Sequence, residues 1–130
     1  MPQRYPPDDP REWLNRARSN LAMARMETEG VYLEDLCFQA QQAAGKAIKA
    51  LLIKHEVEFP YVHDIAQLLA LLERAGHDVP GFVRDAERLT QFAIFTRYPG
   101  MAPPIKLEEY RESAMIAERV VRWTENIILS

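Results

Sequence analysis

The sequence predicts an all-α protein, an antiparallel up-and-down bundle of about five helices. Three observations point there. Apolar residues recur at three- and four-residue spacing along most of the chain, the breaks in that spacing fall at glycines and prolines, and no stretch carries the two-residue alternation of a strand.

The first predicted helix runs from about Pro10 to Met26. Asp9 is a good N-cap, Pro10 suits the first helical position, and Glu12 completes a capping-box pattern. Trp13, Ala17, Leu21 and Ala24 form its apolar stripe, with Arg11, Arg16, Arg18 and Arg25 off it, and Gly30 marks the break. The second helix is long, about Val31 to His55. Its middle, QAQQAAGKAIKALL, is dense in alanine, and such small side chains let another helix approach closely. The third, about His63 to Arg74, carries Ile65, Leu68, Leu69 and Leu72 and ends at Gly76. The fourth is expected from about Pro80 to Tyr98, with Phe82, Val83, Ala86, Leu89 and Ala93 facing inward. The fifth is expected from about Leu107 to Ile128. Tyr110, Ala114, Ala117, Val121 and Ile128 make one stripe, and Ile116, Val120, Trp123 and Ile127 a second beside it. That apolar surface is wider than one packing face needs, which points to a partner subunit, either a second copy or a different protein.

The 130 residues make one domain, 10–130, behind a polar, proline-rich segment 1–9 expected to be flexible. With 48% hydrophobic and 27% charged residues the composition is that of an ordinary globular protein. No apolar run is long enough to span a membrane, and the N-terminus has no secretory apolar core, so a cytoplasmic location is expected. The single cysteine, Cys37, excludes an internal disulfide and falls at an apolar helical position, where core packing is its expected role. A net charge of −3 argues against a general nucleic-acid coat but leaves room for a local basic cleft.

Three constellations carry potential chemistry. Arg97 closes the fourth predicted helix, just before Tyr98 and a loop with three prolines and a glycine. On a helical wheel it lies within about 40° of Ala93, on the inward side. A guanidinium stays charged and is costly to bury alone, so Arg97 either ends the helix against its dipole or meets an anion. Next, Asp35, Gln39, Gln42, Lys46 and Lys49 step along the second helix by four, three, four and three. Such a line is either a solvated face or the lining of a cleft, where amides read a base or sugar and ammonium groups hold phosphate. Last, His63 and Asp64 open the third helix, where an acid caps free N–H groups or orients a histidine base; capping suits the position better. His55, His63 and His77 have no metal-ligand spacing, so no metal is expected, and without a phosphate-cradling glycine loop or a nucleophile elbow no cofactor is expected either.

Taken in order, several of these stretches resemble the HEPN family of bacterial and archaeal helical domains. CFQAQQAAGKAIKALL is similar to that family's long second helix, HDIAQLL to its His-Asp-Leu helix start, and TRYPG to its Arg-Tyr-Pro element. Tyr110, Ala117 and Trp123 fit its last helix. No one of these is specific, but the ordered set covers residues 10–127. The resemblance implies a helical bundle that usually forms a homodimer. It also implies a partner, since such domains are often encoded beside or fused to a minimal nucleotidyltransferase, and many pairs behave as toxin–antitoxin modules. The domain is similar to the substrate-binding helical part of aminoglycoside nucleotidyltransferases. Several branches are metal-independent ribonucleases that use an arginine with a histidine a few residues downstream. Arg97 matches that arginine, but Ala102, Pro103 and Pro104 stand where the histidine would fall, and no histidine follows His77. Tyr98 is near, and a phenol is a poor base at neutral pH.

The expectation is therefore a binding module for a nucleotide or RNA phosphate, with no confident catalytic residue. Arg97, Lys46 and Lys49 would hold the anion, with Gln42, Tyr98 and His63 shaping the site. One alternative is a ribonuclease toxin that uses Arg97 with His63 or Tyr98. The other is a purely structural interaction protein in which Arg97 pairs with an internal acid such as Asp35 or Asp64.

Overall fold

The computed structural model describes residues 1–94 and 98–130. Among them the chain forms helices and no strand: α1 (Pro10–Ala24), α2 (Leu33–Lys54), α3 (Ile65–Arg74), α4 (Gly81–Arg84) running directly into a 3₁₀ helix (Asp85–Ala93), and α5 (Leu107–Ile128). No described helix is long and apolar enough to cross a membrane.

α2 is the axle of the bundle. Thirteen of its 22 residues are buried, because α1, α3, the 3₁₀ helix and α5 all pack against it. Ala40, Ala43, Ala44, Ala47 and Ala50 are fully buried, so the alanine-rich faces of α2 are covered by the flanking helices. Cys37 lies in the same core, and burial pushes its thiol up to about 12, which makes it a packing residue rather than a nucleophile.

The helix starts are fixed by local chemistry. The Asp9 carboxylate accepts from the Arg11 backbone N–H at 2.9 Å, as an N-cap should. The expected capping box is not made: Glu12 turns away, accepting from the Tyr5 N–H at 2.9 Å and pairing with Arg16 at 2.7 Å. Asp64 caps α3 by accepting from the Gln67 N–H, so its carboxylate serves the helix start. Gly76 ends that segment at a φ of +92°, a conformation only glycine adopts freely.

One expectation needs correction. The fourth helix is α-helical for only four residues, and the described chain is no longer helical at Tyr98. Val83, Ala86, Leu89 and Phe92 are buried at a strict three-residue spacing; a 3₁₀ helix keeps that row on one face, whereas an α-helix would rotate it away. Phe82, expected inward, is exposed as a result. Along α5, Ile116 and Val120 of the second stripe are buried within this one chain, with Tyr110, Ala117 and Val121 of the first, because α5 packs on α1, α2 and the α4–3₁₀ segment at once. Ala114, Trp123, Ile127 and Ile128 are only partly buried.

Candidate anion-binding cleft

Gln39, Gln42 and Lys46 of the polar α2 line meet α1 and the loop before α3. Gln39 accepts from Asn20 Nδ2 at 2.7 Å, and Asn20 Oδ1 accepts from the Lys46 ammonium at 2.9 Å. One buried amide of α1 thus ties two members of the line. On the other flank, Gln41 is fully buried, donates to the His63 carbonyl at 2.8 Å, and accepts from Gln42 Nε2 at 2.8 Å. Gln42 Nε2 also stands 3.3 Å from His63 Nδ1. Gln41, Gln42, Lys46, Lys49 and His63 line a narrow notch, together with Gly45 and Val62.

Lys49 is the unusual member. It is only 6% exposed, yet no carboxylate among the described residues pairs with it. Its ammonium instead lies among rings: 5.4 Å from the centre of Tyr61 and 6.0 Å from those of Trp13 and Phe59. Trp13 and Phe59 are themselves packed edge to face at 6.0 Å. Burial pulls the Lys49 ammonium below its ordinary range, and the charge of Lys46 adds to that. Lys46 is lowered in the same way, first by burial and then by Arg16. Two partly desolvated ammonium groups therefore share one notch, and a bound anion would relieve both.

A second cleft adjoins it. Arg4, Tyr5, Glu12, Trp13, Arg16 and Lys46 bound a volume of about 330 Å³. The segment before α1 forms its outer wall. Trp13 Nε1 donates to the Pro7 carbonyl at 2.7 Å, Asn15 Nδ2 to the Gln3 carbonyl at 2.8 Å, and the Arg11 guanidinium covers the Tyr5 ring at 4.1 Å.

Gln42, Lys46, Lys49 and His63 thus come together, and Tyr98 does not join them. Tyr98 lines a different cleft, of about 550 Å³, with Tyr32, Asp35, Gly100 and Pro104 at the start of α2. Asp35 and Lys46 are about 16 Å apart along that helix. Arg97, and with it the question of what its guanidinium meets, lies outside the described residues. Sequence reasoning missed Asn20, Gln41 and the rings of Trp13, Phe59 and Tyr61. Asn20 had a signal: it is a polar residue three positions after Ala17 on the inward face of α1. His55 and His77 stack at 3.7 Å, but among the described residues no three side chains are grouped as metal ligands.

A bundle of helices packed around one largely buried central helix defines the chain as a small α-helical domain. The HEPN domain model matches residues 10–127, and the chain belongs to that family. Two solved structures agree. TT1696 from Thermus thermophilus is 34% identical, over 90% of this chain and 96% of that one, with a TM-score of 0.78. ST0689, an archaeal HEPN homologue, is 27% identical, over 92% and 98% of the two chains, with a TM-score of 0.71. No curated protein matches the chain.

Proposed function

We propose that this HEPN domain is a binding module for a nucleotide or an RNA phosphate, and that it works with a minimal nucleotidyltransferase in a toxin–antitoxin type of pair. One observation carries the binding site: Lys49 is almost fully buried beside Lys46 with no anionic partner among the described residues. A phosphate oxygen in the notch would receive hydrogen bonds from both ammonium groups, with Gln42 and His63 at its edge. Tyr98 enters this reading only with a ligand long enough to run along α2, and Arg97 is retained on its sequence position alone. Family membership supports the nucleotidyltransferase partner and a homodimer.

The test is a thermal-shift titration with nucleoside mono-, di- and triphosphates and a short RNA, on the wild type, Lys49→Gln and Arg97→Ala. A ligand that binds the folded state raises the melting temperature by mass action. A shift lost in Lys49→Gln supports the notch. A shift lost in Arg97→Ala alone moves the site to the TRYPG element. Co-expression with a nucleotidyltransferase encoded beside it, followed by gel filtration, tests the partner.

A further inference from the structure

We infer that the 330 Å³ cleft walled by Arg4, Tyr5 and Pro7 of the N-terminal segment is a second subsite, which takes the base and sugar of a nucleotide that puts one phosphate oxygen into the Lys46–Lys49 notch. This rests on the phosphate reading above and adds to it the part of the ligand that is not phosphate.

Two features distinguish the two clefts; both are cationic, since Glu12 is matched by Arg16 at 2.7 Å and leaves Arg4 and Lys46 beside the larger one. The first is shape. The notch has room for little more than a single polar group, of about 10 Å³, whereas 330 Å³ matches the lower range of small-molecule pockets. The second is the walls. Tyr5, which carries the Arg11 guanidinium over its ring at 4.1 Å, and Trp13 line the larger cleft, and base–aromatic stacking tolerates any base. Lys46 lines both clefts, so a phosphate held by it places the attached nucleoside at the mouth of the larger one.

The chain's own N-terminal segment builds the outer wall of this subsite. Four hydrogen bonds or ring contacts hold it on α1, through Gln3, Tyr5 and Pro7. The ligand is then a nucleoside phosphate unit, either free or as one residue of a single strand.

The deciding experiment is isothermal titration of the full chain with inorganic phosphate, the four nucleoside monophosphates and a five-nucleotide single-stranded RNA. The variants are Tyr5→Ala, Arg4→Ala and Lys49→Gln. Monophosphates are expected to bind at least about tenfold more tightly than inorganic phosphate, the contribution of one stacked base. Tyr5→Ala should remove that advantage, Arg4→Ala should reduce it, and Lys49→Gln should abolish binding of every probe. Tighter binding of the RNA than of any monophosphate assigns the unit to a strand; equal binding assigns it to a free nucleotide. If monophosphates bind no better than phosphate, or Tyr5→Ala leaves their advantage intact, the subsite is wrong while Lys49-dependent phosphate binding stands. If no probe binds, both readings fall together.

Discussion

The Lys49 ammonium lies 5.4 Å from the centre of the Tyr61 ring, in a residue that is only 6% exposed and has no carboxylate partner among the described residues. Cation–π attraction returns about 0.5–2 kcal/mol for such a contact, which does not offset the loss of most of the hydration of an ammonium. The folded protein therefore carries a destabilising charge in a place where an anion would be welcome.

Lys49→Met is the direct check. A thioether of similar length fills the same space among Trp13, Phe59 and Tyr61 without the charge. Stability at neutral pH is expected to rise by about 1 kcal/mol, while phosphate-dependent thermal shifts disappear. The pH dependence gives an independent reading. A lysine held below its usual range means that the unfolded chain binds more protons at alkaline pH, so the wild type gains stability as pH rises toward about 10.5. Lys49→Met should lose that part of the alkaline gain. Chemical denaturation of both proteins at pH 7 and pH 9.5 measures each effect, and an unchanged or lower stability at pH 7 would overturn the account.

A second relationship holds α5 against α1. The Tyr110 hydroxyl, in the core, donates to the Ala24 carbonyl at 2.6 Å, and Ala24 is the last residue of α1. That carbonyl is among those a helix C-terminus leaves without an intrahelical partner. Tyr110→Phe keeps the ring and leaves the buried carbonyl unbonded, at an expected cost of about 1–2 kcal/mol. Urea melts should show a lower midpoint with an unchanged m-value, since the surface exposed on unfolding is the same.

Much of this fold was legible because helical spacing is local. α5 occupies the expected Leu107–Ile128, and Gln42, Lys46 and Lys49 of the α2 line do meet at one notch, whereas Asp35 lines a different cleft. What that line faces was not legible. Asn20, Phe59 and Tyr61 reach it from other segments, and spacing within α2 carries no information about them. The 3₁₀ helix was missed for a different reason. The row Val83, Ala86, Leu89, Phe92 also satisfies a loose three-or-four pattern, and only its strict period of three separates the two helix types. The sequence links Tyr98 to the lysines only through its neighbour Arg97, and spacing along the chain could not show that it lines a different cleft.

His55 and His77 supply an acid-sensitive contact. Their rings stack at 3.7 Å, where α2 ends and just past the glycine that closes α3, beside Asp78 and Trp123. Burial lowers the His55 imidazole first, and the charges of His77 and Lys54 lower it further. A histidine held below its usual value takes up its proton more readily in the unfolded chain. Stability is then full above about pH 6.5 and falls as the pH drops below it. Melting temperatures between pH 7.5 and pH 5 should show that fall before the carboxylates titrate. His77→Phe keeps a stacked ring and removes one charge, so its curve should be flatter over that interval. Superimposable curves would mean that the stacked pair contributes nothing to the pH dependence.

Gly45 separates structural need from function at the floor of the notch. It sits in the interior of the 22-residue α2, where glycine costs roughly 0.5–1 kcal/mol relative to alanine. Its φ is not positive, and a Cβ built there meets nothing within 4 Å, so neither backbone conformation nor close packing demands glycine. Gly45→Ala should therefore stabilise the protein by about 0.5–1 kcal/mol. What glycine does provide is space between Gln41, Gln42, Lys46 and Lys49. If that space admits a phosphate oxygen, Gly45→Ala weakens phosphate binding slightly and Gly45→Leu blocks it, even though both lysines remain. Thermal melts with and without phosphate or a nucleotide, on the wild type and the two variants, give both readings. Stabilisation accompanied by loss of binding identifies Gly45 as a residue kept for the ligand, whereas undiminished binding by a folded Gly45→Leu protein would place the anion elsewhere.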